Sequence, residues 1–200
     1  MKKAFSNILL LTLGLLVTSC APNENKANKL IREWMSNANY DSYDAVKTTV
    51  TKAKASMYTD TACWNEAFNL YVIMDKVLVS KRKAEKAEEM RKNYSSLPYS
   101  DDYYKYDSEY RMELFNYETM LPMAKYHITK LKDKLSQLDE ETIVGWEVNH
   151  SFNYISEDGR PIIGNYRFVI DKDFTQILIE EDLDSKESFE LRHIVPDMIR

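Results

Sequence analysis

Turn formers are scarce in this chain, with 4 Gly and 5 Pro among 200 residues. That shortage argues against a many-stranded sandwich and favours long helices. Cysteine is scarcer still. Cys20 and Cys63 are the only two, no C-x-x-C spacing occurs, and no disulfide framework or zinc ribbon can be built. The three histidines, His127, His150 and His193, have no neighbour at ligand spacing, and there is no H-E-x-x-H. No G-x-S-x-G elbow and no Cys–His pairing is present, so a nucleophilic enzyme is not expected. Positive charge is also short: 27 Lys and Arg stand against 32 Asp and Glu, a net −5. Such a chain has no electrostatic footprint for nucleic acid. Finally, no run approaches the roughly 20 apolar residues of a membrane-spanning helix.

What the chain does have begins at its first residues. Lys2 and Lys3 precede an apolar segment, Ile8 to Val17, and then Val17-Thr18-Ser19-Cys20. This is the layout of a secretory signal peptide, residues 1–19. Its end resembles the lipobox of bacterial lipoproteins. The resemblance implies cleavage before Cys20 and acylation of its thiol by palmitate-type chains, several of which hold a protein firmly to a bilayer. Loss of Lys2 and Lys3 takes the net charge from −5 to −7. Residues 20–28 are expected to be an irregular polar tether and 29–200 a single α+β domain. One acid among Ala21-Pro22-Asn23-Glu24-Asn25-Lys26 favours a periplasm-facing envelope location over the cell surface.

The periodicity of the rest predicts the architecture. Lys29 to Asn37 forms a short helix presenting Leu30, Ile31, Trp34 and Met35. Residues 44–54 fit a helix by spacing, but Thr48-Thr49-Val50-Thr51 is β-branched, which favours an edge strand. From Asp60, two apolar stripes led by Cys63 and Trp64 make a wide helical face, with Cys63 a buried small hydrophobe. The charges from Ser80 to Lys92 extend this helix into solvent. After a break at Asn93 to Asp102, Tyr110, Leu114, Tyr117, Leu121, Ala124, Ile128, Leu131, Leu135 and Leu138 form a heptad seam that calls for an antiparallel partner. Pro122 should bend this helix rather than divide it. The helical part is thus 60–138.

Beyond Asp139 the period becomes two. Val144, Trp146, Val148, His150, Phe152 and Tyr154 lead a β-meander over 143–180, with strands also at Tyr166 to Ile170 and Thr175 to Glu180. One face is aromatic and expects the helical hairpin as cover; the other is polar and expected to be open. Ile177 and Ile179 are both expected to point inward. The fold class is therefore α+β, a long α-helical hairpin packed on a small, 3–4-stranded antiparallel sheet, followed by a charged tail.

With the lipobox, the short first helix and the helical middle, Tyr40-x-Ser42-Tyr43, Gly145-Trp146-x-Val148-x-His150 and Tyr166-x-Phe168-x-x-Asp171-Lys172-Asp173 resemble a family of small, uncharacterised lipoproteins of Bacteroides-type bacteria. The chain departs from that pattern at Asp44-Ala45 and the threonine cluster. The resemblance implies fold and location only.

Half of the 14 tyrosines fall between Tyr94 and Tyr117. Tyrosine joins a flat apolar ring to a polar tip and suits protein interfaces and sugar stacking. Tyr94, Tyr99, Tyr103, Tyr104 and Tyr106 are the candidate interaction residues, with packing of the hairpin tip as the structural alternative. Asp60-Thr61-Ala62 resembles a short O-glycosylation acceptor centred on Thr61, although Asp60 or Thr61 can equally cap the helix. Asp101-Asp102 and Asp171-x-Asp173 read as turn formers rather than metal ligands. The expected function is non-catalytic: an envelope module that binds or assembles with a protein partner through the hairpin tip or the open sheet face, with no cofactor, metal or nucleic acid. A glycan- or small-ligand-binding accessory lipoprotein is the alternative.

Overall fold

A computed structural model describes residues 21–38, 40, 42–156 and 158–200; the expected signal peptide and Cys20 lie outside them. The elements are α1 (Ala21–Asn37), β1 (Asp44–Lys54), α2 (Thr61–Asn93), α3 (Asp101–Ser136), β2 (Ile143–Ile155), β3 (Pro161–Ile170), β4 (Ile177–Asp182) and α4 (Lys186–Ile199). The fold is α+β, with one antiparallel sheet in the order β1-β2-β3-β4 and a long helical hairpin. Contacts divide it into two compact units close to the expected helical boundary: the described residues up to Thr61 with Asp139–Phe189, and Ala62–Leu138 with Glu190–Arg200.

In the first unit residues 44–54 are a strand, at the sheet edge. The period-two pattern of β2 holds. Val148, His150 and Phe152 are buried on one face beside Phe168 and Ile170 of β3. The helix on that face is α1, whose Ala27, Ile31 and Met35 join them in one core. These residues step by four, a stripe narrow enough to seat a helix on a sheet. The face left for the hairpin to cover is thus covered by α1, and this burial makes Ala21–Asn28 helical rather than an irregular tether. The cover is aromatic as well as aliphatic: Trp34 meets Phe168 edge-on at 5.3 Å, and Tyr40 meets Phe152 at 5.5 Å.

The opposite face is not the open polar surface expected of it. Val169 and Ile179 are buried there, and so are Arg167 and Glu181, each 3% exposed. Arg167 Nε donates to Glu181 Oε2 at 2.6 Å and its Nη2 donates to the Tyr58 carbonyl at 2.9 Å, while Ser188 Oγ donates to Glu181 Oε1 at 3.1 Å. A buried ion pair survives only when its remaining donors and acceptors are met in this way. Ile177 and Ile179 also part company. Ile170 pairs with Ile177 but Val169 with Ile179, so the extra residue Leu178 puts Ile177 on the aromatic face and Ile179 on the other.

In the second unit α2 and α3 run antiparallel. The seam of α3 is buried or half-buried from Tyr110 to Leu135, with Ala124 and Leu131 fully enclosed. Helix α3 passes unbroken through Pro122. The Ser80–Lys92 stretch is not solvated on every side: Ser80, Ala84 and Ala87 are buried. Cys63 is buried as well.

Candidate functional site

The closed end of the hairpin is built by charge before it is built by rings. Arg91, in the last turn of α2, donates from Nη1 to Asp107 Oδ1 at 2.9 Å, and its guanidinium lies 4.7 Å from the Tyr110 ring centroid. Arg111 holds the other oxygen of Asp107 at 2.8 Å. The two guanidinium groups keep the Asp107 carboxyl below its usual range, Arg91 acting most strongly. Between the helices, tight backbone bonds close the turn: Tyr94 N–H to the Arg91 carbonyl, Leu97 to Tyr94 and Ser100 to Leu97. Ser100 then caps α3, accepting from the Tyr103 amide at 3.2 Å. Asp101 and Asp102 occupy the first helical turn, where the free amides and helix dipole favour negative charge.

This frame sorts the candidate tyrosines. Tyr94 and Tyr106 stack across the turn with ring centroids 5.8 Å apart, and both are half-buried. Tyr103 meets Tyr104 edge-on at 6.2 Å. Tyr99 is 87% exposed, and Leu97 and Tyr104 are also exposed. Packing therefore accounts for Tyr94 and Tyr106, while Tyr99 and Tyr104 project from the tip. Beside Tyr106 runs an open groove of about 540 Å³, with Lys83, Lys86 and Met90 on one wall and Glu109, Met112 and Glu113 on the other. Lys83 and Glu113 bridge it at 3.5 Å.

Two polar clusters escaped the sequence pattern. In the hairpin, buried Glu66 pairs with His127 Nδ1 and, at 3.0 Å, with Lys130. Burial works to raise the Glu66 carboxyl, but its two partners hold it lowered. The cluster fixes the register of α2 on α3. Only one signal pointed to it: Glu66 interrupts the apolar face three residues after Cys63. In the sheet unit, His150 accepts at Nε2 from the Tyr43 hydroxyl at 2.7 Å and donates from Nδ1 to Thr48 Oγ1 at 2.9 Å. The donor assignment follows because Thr48 spends its one hydroxyl hydrogen on Asn28 Oδ1, 2.6 Å away. Burial of this neutral imidazole lowers its pKa to about 4, and burial pushes the Tyr43 phenol up. The chain Asn28–Thr48–His150–Tyr43 ties α1 and β1 to β2.

Asp171 accepts from the Thr175 amide at 2.6 Å, from the Thr175 hydroxyl and from the Gln176 amide, which is the work of a turn former. Among the described residues no group of three His, Cys, Asp or Glu is placed to hold a metal ion. Thr61 is exposed at the first residue of α2. No protein-family model, no curated protein and no solved structure matches the chain.

Proposed function

We propose that the chain is a lipid-anchored, non-catalytic protein-binding module of the cell envelope, facing the periplasm and using the hairpin tip as its contact surface. The observation that carries this reading is the tip itself. Tyr99, Tyr104 and Leu97 are exposed on a turn braced by the Arg91–Asp107–Arg111 cluster. Large amphipathic rings held on a rigid support lose little freedom on binding, which is how interface hot spots form. The anchor rests on Cys20 and its lipobox-like surroundings, and helix α1 starting at Ala21 would then hold the sheet unit close to the bilayer.

Cross-linking and pull-down of the full-length protein from its own membranes tests the reading. One stoichiometric envelope partner is expected, lost on combined Tyr99→Ala, Tyr103→Ala and Tyr104→Ala. Absence of any partner above background would sink it. Cys20→Ser tests the anchor separately and should abolish acylation and the mass it adds. The groove beside Tyr106 supports a second reading, since its size falls within the range of small-ligand sites. A glycan or small molecule whose binding is lost in Lys86→Ala but kept in Tyr99→Ala would select it. Intact mass of the native protein against Thr61→Ala shows whether Thr61 carries a glycan.

A further inference from the structure

Helix α1 begins at Ala21, the residue after Cys20, so acylation of Cys20 would leave no linker between the bilayer and the sheet unit. Which end of the sheet meets the lipid then follows from the direction of α1. Lys26 stands six residues past Cys20, about 9 Å of helix, and its Nζ lies 5.6 Å from the Phe174 ring centroid. Phe174 stacks at 5.3 Å on Trp146, which pairs with Ile170, the last residue of β3. Just past the other end of α1, Tyr40 meets Tyr154 at 5.2 Å, close to the β2–β3 hairpin. The helix therefore starts beside the β3–β4 turn and runs toward the hairpin, over about 25 Å for its 17 residues.

The turn end has the chemistry of a lipid interface. Trp146 and Phe174 are half-buried, and the Lys172 carbonyl holds the indole N–H at 3.1 Å. Phe174 has φ 59°, a left-handed backbone that bulky residues rarely adopt, and an aromatic kept there points to a use for its ring. Lys26, Lys52 and Lys172 are exposed around the pair, Lys52 directly opposite Trp146 in the β1–β2 register. Rings at headgroup level among long cationic side chains suit an anionic lipid surface. Asp171 is bonded within the turn and Glu141 is paired with Lys54. Glu140 and Glu147 line a hollow with Thr51, which alternation with Lys52 places on the opposite face. Asp173 and half-buried Glu24 stand against the three lysines. At the hairpin end the sign reverses: Asp158 and Arg160 pair, and Asp44, Asp182 and Asp184 outnumber Lys47.

We propose that the α1 face of the turn end, centred on Trp146 and Phe174, rests on the anionic lipid surface that holds Cys20, with the β2–β3 hairpin directed away from it. The inference rests on the anchor reading, and its test separates the two.

The full-length, acylated protein is reconstituted into phosphatidylethanolamine–phosphatidylglycerol vesicles that carry a headgroup-linked fluorescence quencher. A thiol-reactive fluorophore is attached at Asp173→Cys or at Arg160→Cys, both exposed, while Cys63 is buried. Quenching at 173 should exceed that at 160 several-fold, and adding Lys52→Glu with Lys172→Glu should remove most of the excess. Equal quenching, or an excess indifferent to the charge reversals, would overturn the contact. So would stronger quenching at 160, since exposed Ile155 and Ile163 flank that hairpin and form the competing surface. Acyl mass and flotation with the vesicles report the anchor independently. A protein showing neither overturns the anchor and this contact with it, whereas a floating protein with equal quenching overturns the contact alone. Lys52 and Lys172 are solvent-exposed, so a lost signal would not report misfolding.

Discussion

Each unit of the molecule holds a tyrosine cluster, and the two clusters do opposite things. In the sheet unit Tyr40, Tyr43, Tyr154 and Tyr166 close around Phe152 with centroid distances of 5.2–5.7 Å to their ring neighbours. Their hydroxyls bond inward, Tyr43 to His150 and Tyr40 to Tyr166 at 3.2 Å. Burial pushes the phenols of Tyr43, Tyr154 and Tyr166 up. At the hairpin tip the rings pair two by two, and Tyr99 stands clear of any core. The sheet tyrosines arrive from three separate segments, the α1–β1 connection, β2 and β3, whereas the tip tyrosines are neighbours in sequence. Density along the chain thus marked the surface cluster, while the cluster that holds the fold was assembled by strand pairing.

Substitutions can widen or erase this contrast. The largest effect is expected from Phe152→Ala, which removes the fully buried ring that the sheet tyrosines surround; it should cost about 3–5 kcal/mol in denaturant unfolding followed by near-ultraviolet circular dichroism. An equally severe loss from Tyr99→Ala would erase the contrast. Acid should act next. The unfolded chain takes up a proton at His150 near pH 6.5 and the folded chain only near pH 4. Between these values the unfolded state binds more protons, so stability is whole above pH 6.5 and falls as the pH is lowered toward 4. The loss is at most about 3 kcal/mol, and denaturation midpoints across this range, with histidine NMR titration, would measure it. Gly145→Ala should follow at about 1–3 kcal/mol. A Cβ there would lie 2.1 Å from the Ile170 carbonyl oxygen, where backbone meets backbone and nothing flexible can yield. The smallest effect belongs to the tip: Tyr99→Ala should shift unfolding by no more than about 0.5 kcal/mol, whatever it does to a partner.

The elements with a sustained period were legible. The seam of α3 and the alternation of β2 each repeat often enough that tertiary context had little to override, and the β-branched run at Thr48–Thr51 correctly outweighed its helical spacing. What stayed hidden depended on pairing. Helix α1 begins eight residues earlier than Lys29, because Ala27, Ile31 and Met35 become a stripe only once the sheet is there to receive them. Leu178 could not be read as an inserted residue without knowing which partner β4 faces. Arg167 reads from sequence as a residue of an open face and Glu181 as the start of a charged tail, because the Tyr58 carbonyl that Arg167 meets lies far away in sequence and the Arg167–Glu181 pair forms only when β3 and β4 align. Of the site, the tyrosines were evident from composition, but their division into packed and projecting rings required the Arg91–Asp107 brace.

The sheet unit is interrupted in the chain by the whole hairpin, since β1 pairs with β2 across everything from α2 to α3. The hairpin closes through neighbours in sequence, a cheap and fast step. The sheet must wait for a loop of that length to close and for the last third of the chain to be delivered. Order of assembly is therefore written into the connectivity: the helices come first, and α1 and β1 stay uncovered until β2 and β3 arrive. In a chain that crosses a membrane before folding, this delay would keep the aromatic strands separate until the entire sequence is on the same side.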